Sequence, residues 1–325
     1  LESKLDSSAL FFEQCEHLPD KSIPVNSNFS KPEYLAAIEK IQEFIRRGDT
    51  YQTNLTQQIC ADLPENLTAQ KIFWNLRKNN PAPFAAFLQR NDSTVVSASP
   101  ERFFNVENAI SETQNRLISA SPIKGTRPRG KTFAEDLILQ NELLQSEKDR
   151  AENIMIVDLL RNDLGRICEF GSVEVEKLCE LETHPTLFHL VSTINGKLRA
   201  NVKFSDIIRA VFPCGSITGA PKIRTMQLID ELETAPRGLS MGAIGYSIQD
   251  SGFRIQDIKT ENYHLPFASY RYFDLSVAIR TMVIHDKIVV FNVGGGIVID
   301  SIPETEYEET LLKAEALLKS FGGKL

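Results

Sequence analysis

LSVAIRTMVI (275–284), HDK (285–287) and IVVFNVGGGIVID (288–300) read as two apolar, β-branched runs joined by a short polar corner. That grammar predicts a β-hairpin, because β-branched side chains pack well on a pleated surface. Upstream, FAAFLQ (84–89), VVSAS (95–99), RFFNV (102–106) and RLISAS (116–121) are short strands with short connections. YQTNLTQQICADL (51–63), VEVEKL (173–178), HLVSTI (189–194) and MGAIGYSIQ (241–249) extend the set. Short connections between strands imply antiparallel pairing.

Helical spacing is interleaved with these runs. Ser30-Lys31-Pro32-Glu33 is a capping box, and Tyr34, Ile38, Ile41 and Ile45 follow at helical intervals until Gly48. A second helix is expected near 68–79, stopped by Pro81. Residues 133–163 read as helix in two pieces, the second with Glu152, Met155 and Leu159 on one stripe. Ser205 is expected to cap DIIRAVF, a helix to open at about Thr218, and Ser301-Ile302-Pro303-Glu304 to box in a last helix running to about Ser320. Residues 249–273, polar and aromatic without a period, read as an insertion. Strands paired as hairpins and mixed with helices give an α+β fold, read as one domain over 1–325.

Hydrophobic content of 42% and charged content of 24% are those of an ordinary globular chain. A net charge of −7 argues against a nucleic-acid or anionic-membrane partner. No apolar run nears the roughly 18 residues that span a bilayer, and the start lacks a basic end followed by an apolar stretch. The five cysteines form no C-x-x-C pair, which fits reduced thiols in the cytoplasm.

SPIKGTRPRG (121–130) puts Lys124 at what reads as a strand end, before a tight turn at Gly125. Such a lysine is either a surface charge or, in a dry cleft, a nucleophile. Glu306, Glu309 and Lys313 share one helix face, either as a solvated helix start or as ligands of a hard cation such as Mg²⁺, with Glu152 heading another helix in the same way. Gly294-Gly295-Gly296 inside a strand pattern marks either a bulge or close approach of a ligand to the backbone. Arg280, among β-formers, needs a carboxylate partner or an anion, and His189 in LFHLVS reads as a core histidine or a base. Cys214 in FPCGS reads as a buried thiol.

In this order the motifs resemble the chorismate-utilising enzymes. They are YQTNLTQ (51–57), SASPERF (97–103), PIKGTRPRG (122–130), ENIMIVDLLRNDLGR (152–166), HLVSTI (189–194), FPCGSITGAPKIRTMQLIDELE (212–233), MGAIGY (241–246), AIRT (278–281) and GGGIVIDSIPETEYEET (294–310). The resemblance implies antiparallel sheets packed as a sandwich with outer helices. It implies Mg²⁺ on Glu152 and Glu309 with Glu306 nearby, and Arg280 gripping a substrate carboxylate. Gly294, Gly295 and Gly296 would offer N–H groups, with Gln52, Gly125, Thr126 and Lys313 also lining the substrate site. His189 matches the active-site histidine near the C4 hydroxyl, Ser216 a Thr or Ser position, and Glu101 a glutamate that assists proton transfer.

Two positions separate the reactions within the resemblance. Gln52 stands where water-adding members carry lysine, so water addition at C2 is disfavoured. Lys124, in PIKGT, matches members that transfer an amino group through a covalent lysine adduct, whereas anthranilate synthases have PIAGT. The closest match is the aminodeoxychorismate synthase component I type, with anthranilate synthase component I as the alternative. Ammonia would come from a glutamine amidotransferase subunit. Typical members carry a longer N-terminal region, which in anthranilate synthase supplies much of the tryptophan feedback site, so no tryptophan control is expected. Ser240 replaces a usual tyrosine, with Tyr246 or a residue of the 249–273 insertion as candidates to compensate.

Overall fold

The computed structural model describes residues 22–108, 116–184, 187–249 and 270–325. The first half runs β1 (Ile23–Pro24), β2 (Asn26–Ser27), α1 (Lys31–Arg46), β3 (Gln52–Asp62), α2 (Ala69–Asn79), β4 (Phe84–Gln89), β5 (Thr94–Ser99), β6 (Arg102–Asn108), β7 (Arg116–Ala120), β8 (Ile123–Pro128), α3 (Phe133–Gln145) and α4 (Glu147–Gly165). Then follow β9 (Glu174–Thr183), β10 (Leu187–Lys197), α5 (Phe204–Val211), β11 (Gly219–Ala220), α6 (Lys222–Leu232), β12 (Ala243–Gln249), β13 (Tyr270–Val277), β14 (Thr281–His285), β15 (Ile288–Ile297), α7 (Pro303–Phe321) and β16 (Gly323–Lys324).

Two seven-stranded antiparallel sheets form a sandwich with helices outside, an α+β architecture. One sheet has the order β11-β3-β15-β14-β5-β4, with β2 also on β3; the other is β12-β13-β6-β7-β10-β8, with β9 also on β10. In the first, Ile59, Val96 and Phe291 pack against Ile72 and Leu76 of α2 and Leu317 and Phe321 of α7. In the second, Phe104, Ile118 and Ile194 pack against Ile156 and Leu160 of α4 and Ile207 of α5. Each such side chain contributes roughly 1.5–3 kcal/mol when fully buried.

The capping box at Ser30 forms, with the Glu33 carboxylate accepting from the Ser30 N–H at 2.8 Å. The predicted hairpin forms as well. Asp286 and Lys287 both take positive φ, the twist a two-residue hairpin needs.

Several boundaries differ from the sequence reading. The N-cap of α5 is Lys203, not Ser205, because Asp206 accepts the Lys203 N–H at 2.9 Å. Thr218 does not open a helix. Gly219 and Ala220 pair with β3, and α6 begins only at Lys222 after Pro221. The N-cap of α7 is Ile302, and Ser301 turns its hydroxyl to Glu306 at 2.7 Å instead of capping. The buried stripe of α4 is Asn153, Ile156, Leu160 and Leu164, one position on from the expected one; Glu152, Met155 and Leu159 lie at its border.

Three differences bear on function. Residues 270–273 of the expected insertion belong to β13, where Tyr272 pairs with Ile248 and Glu107; residues 250–269 lie outside the described residues. The run 275–284 is two strands in different sheets. β13 ends at Val277 and β14 starts at Thr281 after a turn in which Arg280 has φ 48°. Beside it the chain passes from β5 to β6 through Pro100 and Glu101, and the two crossings are tied by Val277 N–H to Glu101 O (3.0 Å) and Ala98 N–H to Arg280 O (3.0 Å). Glu101 and Arg280 are thus delivered together where the sheets exchange chain.

Candidate active site

Lys124 does not sit at a strand end. It lies inside β8, where Thr126 pairs with His189 and Ile123 with Val191, so Lys124 and Gly125 together face Leu190 alone. Two residues opposite one is a β-bulge, which bends a strand and re-aims a side chain. Gly125 takes φ 85°, and a Cβ there would meet Asp149 Cβ and Leu143 Cδ1 at 2.9 Å. Glycine therefore serves both the bulge and the close packing of α3 and α4.

The bulge sends Lys124 inward, its side chain only 14% exposed. Nζ lies 3.8 Å from Glu152 Oε2, which also accepts from Gln52 Nε2 at 3.4 Å. The three glycines lie in β15 without a bulge, in unbroken register with β3 from Ile288 to Ile297. Each has its own reason. A Cβ on Gly294 would meet the Leu55 carbonyl oxygen at 1.9 Å. One on Gly295 would face Lys313 Nζ and Glu306 Oε2 at 3.4 and 3.6 Å. One on Gly296 would collide with Gln52 Nε2 at 2.0 Å and face Lys124 Nζ at 3.5 Å.

Glu101 is buried, and its Oε1 has no hydrogen-bond partner among the described residues. Burial pushes its carboxyl up to about 7, against the pull of Ser216, Lys124 and the Ile123 backbone. Buried Ser216 sits 3.3 Å from Cys214 Sγ, and burial raises that thiol to about 11, so it is no thiolate at neutral pH. His189 Nδ1 shares a 2.8 Å hydrogen bond with the Thr126 hydroxyl. Burial, the neighbouring His184 and Arg280 lower its pKa to about 4, leaving the ring neutral at physiological pH. His184 stands edge-on to it at 5.5 Å, a contact with no signal in the sequence. Arg280 has no carboxylate partner among the described residues, and burial lowers its pKa.

The acidic residues of α7 and α4 face the same region. Glu306 is buried; its Oε1 accepts from Ser301 and pairs with Lys148 Nζ at 3.4 Å. Glu309 pairs with Lys313 at 2.7 Å, and Lys313 also donates to the Gly294 carbonyl at 3.2 Å. Burial raises the Glu152 pKa, against the pull of Lys124 and Lys148. Among the described residues no three acidic, histidine or cysteine side chains are gathered into a ready-made metal cage. The donor set is nonetheless of hard oxygens, and one or two carboxylates completed by water and substrate oxygens suit Mg²⁺.

Ser240 is buried and accepts the Asn292 N–H at 3.3 Å. Tyr246, one candidate to compensate for it, is 58% exposed on β12, with its ring beside Tyr272. Sequence reasoning passes over Lys148 and Asn153, and it reads Ser301 only as a helix cap. Of the first two, only Asn153 left a signal, as an amide on an apolar helical stripe.

In this sandwich an inward lysine, a buried carboxyl, a neutral histidine and an arginine with no carboxylate partner among the described residues stand around a row of carboxylates, a candidate site with the charges to hold an anionic small molecule. The family model for chorismate binding enzymes matches residues 4–255 and 267–319, and the chain belongs to that family. It is similar to the aminodeoxychorismate synthase of Streptomyces pristinaespiralis, 42% identical over 93% of this chain and 38% of that one. It is also similar to anthranilate synthase component 1 of Acetivibrio thermocellus, 38% identical over 92% and 54%. The chain thus spans between about a third and about half of these relatives' lengths. The crystal structure of anthranilate synthase component I from Streptococcus pneumoniae TIGR4 superposes with a TM-score of 0.76 at 32% identity, covering 98% of this chain and 66% of that one. The menaquinone-specific isochorismate synthase of Escherichia coli shares the fold at TM-score 0.73 and 18% identity.

Proposed function

We propose that this chain catalyses the conversion of chorismate and ammonia to 4-amino-4-deoxychorismate, the aminodeoxychorismate synthase component I reaction, on the way to p-aminobenzoate and folate. The observation that carries the reading is the inward Lys124 at the bulge, beside Glu152 and Gly296. Arg280 takes one substrate carboxylate, a geometry that guanidinium suits. Glu152 and Glu309, with Glu306 nearby, would hold Mg²⁺, which when bound supplies Lewis-acid charge to a substrate carboxylate.

The Lys124 amine forms a bond to C2, both ring double bonds shift, and the C4–oxygen bond breaks. Glu101, with a carboxyl near 7, gives its proton to the leaving hydroxyl, which departs as water. The neutral His189 imidazole orients that hydroxyl by hydrogen bonding. The adduct returns a proton to Glu101; ammonia then adds at C4, both double bonds shift back, and the lysine leaves as the neutral amine by taking the Glu101 proton, which the new C4 ammonium replaces, so that one displacement is split into two. Gln52 holds the lysine position of water-adding members and has no basic group to activate water. Ammonia comes from a glutamine amidotransferase subunit or from ammonium salt.

The second reading is anthranilate synthase component I, favoured by relatives of that name at 38% identity. Incubation with chorismate, Mg²⁺ and ammonium separates the two. Product that needs a separate lyase to yield p-aminobenzoate supports the proposal; anthranilate fluorescence without lyase overturns it. An intact-mass adduct mapped to the PIKGT peptide, after chorismate without ammonia, tests the covalent step directly.

A further inference from the structure

The central strand β10 is flanked by bulges on both sides. On the β8 side Lys124 and Gly125 face Leu190. On the β9 side Val191 pairs with Glu180 and Thr193 with Lys177, so Leu178 and Cys179 face Ser192 alone, with Cys179 at φ 52°. Two bulges this close leave the strand's local geometry poorly fixed by its own ladder.

One side chain from outside the sheet touches both places. Asn153, fully buried on α4, donates from Nδ2 to the Leu190 carbonyl at 3.3 Å. Its Oδ1 accepts from Ser192 Oγ at 2.5 Å, and that hydroxyl accepts the Cys179 N–H at 2.9 Å. The Ser192 N–H bonds Pro122 O at 3.2 Å, next to β8. Asn153 also follows Glu152 directly on the helix. The other residues of this stripe, Ile156, Leu160 and Leu164, are apolar, and a buried amide among them is costly unless fully bonded. Both ends of the buried amide are bonded on β10.

We propose that Asn153 is a positioning residue that pins both bulges and so sets Lys124, His189 and Glu152 in register with one another. The role rests on the reading of those three as site residues. Misplacement by about 1 Å costs about 100-fold in rate, and a bulge slipping by part of a residue moves Lys124 at least that far.

The test is Asn153→Leu, which keeps the number and branching of the side-chain heavy atoms and removes both hydrogen bonds. The folded variant is expected to lose about 100-fold in kcat with ammonium as donor, with KM for chorismate changed by no more than about threefold. Two readouts need no turnover: the ¹⁵N signals of the His189 ring, and the labelling rate of Lys124 by an amine-reactive reagent, read by peptide mass. Both are expected to shift. Wild-type ring signals and labelling in a folded Asn153→Leu protein, with only Tm lowered, overturn the proposal. Should that variant not fold, Ser192→Ala removes one of the two links and is read in the same way. Shifted ring signals and labelling support the pin; wild-type values overturn it. Because these signals do not depend on product, they separate failure of the pin from failure of the proposed reaction.

Discussion

Lys124 Nζ lies 3.8 Å from Glu152 Oε2, on a bulge of one sheet and the first turns of a helix packed against that sheet. A lysine this enclosed, with Glu152 beside it, Glu101 and Glu309 in its field and the Gly296 position left open next to its amine, is not a surface charge. Removing it should separate chemistry from stability. Lys124→Ala is expected to abolish aminodeoxychorismate formation while the chain still folds, with a stability loss set by leaving the enclosed Glu152 without its lysine. Product assays beside urea unfolding check this; an unchanged rate makes the lysine a bystander.

Glu101 and His189 give opposite pH linkages. The Glu101 carboxyl, ordinarily near 4.5 and near 7 when folded, makes the native state bind more protons, so its contribution to stability is lost as pH rises through 7. His189, ordinarily near 6.5 and near 4 when folded, contributes stability above 6.5 that is lost as pH falls toward 4. Between pH 5 and 6.5 the two slopes oppose. Glu101→Gln is expected to make Tm rise with pH in that window, and His189→Gln to make it fall, by a few degrees each. Parallel profiles for both variants and wild type would exclude this assignment.

As general acid, Glu101 must be protonated, so kcat/KM is expected to decline above about pH 7. Glu101→Gln should lower the rate by at least about 100-fold and abolish that limb. A pH–rate profile with ammonia concentration held constant distinguishes this from titration of the nucleophile.

Gly294 and Gly296 are expected to fail in different ways when changed to alanine. At Gly294 the methyl meets backbone, so Gly294→Ala should cost about 2 kcal/mol or more in stability. At Gly296 it meets the end of the Gln52 side chain, so Gly296→Ala should lower kcat with little change in Tm. Thermal denaturation and steady-state rates on both variants decide the matter.

Arg280→Ala is expected to raise KM for chorismate by about 10-fold or more, the worth of a charged hydrogen-bonded pair. Stability should be unchanged or slightly higher, because a half-buried cation without a described carboxylate partner is removed. Chorismate titration by calorimetry gives the first quantity and chemical denaturation the second.

The sequence by itself determined what is local. The Ser30 box, the His285–Ile288 corner and the alternation of β15 follow from side-chain size, turn twist and capping within a few residues. The candidate site residues were legible too, because their types and order carry the family pattern. Tertiary structure alone decided how they meet. The sheet change at Arg280, the bulge that turns Lys124 inward, the diversion of Ser301 from cap to Glu306 and the double tie of Asn153 each depend on a partner far along the chain. Strand register and burial are set by which surfaces pack together, and no periodicity along one segment encodes the partner it will face.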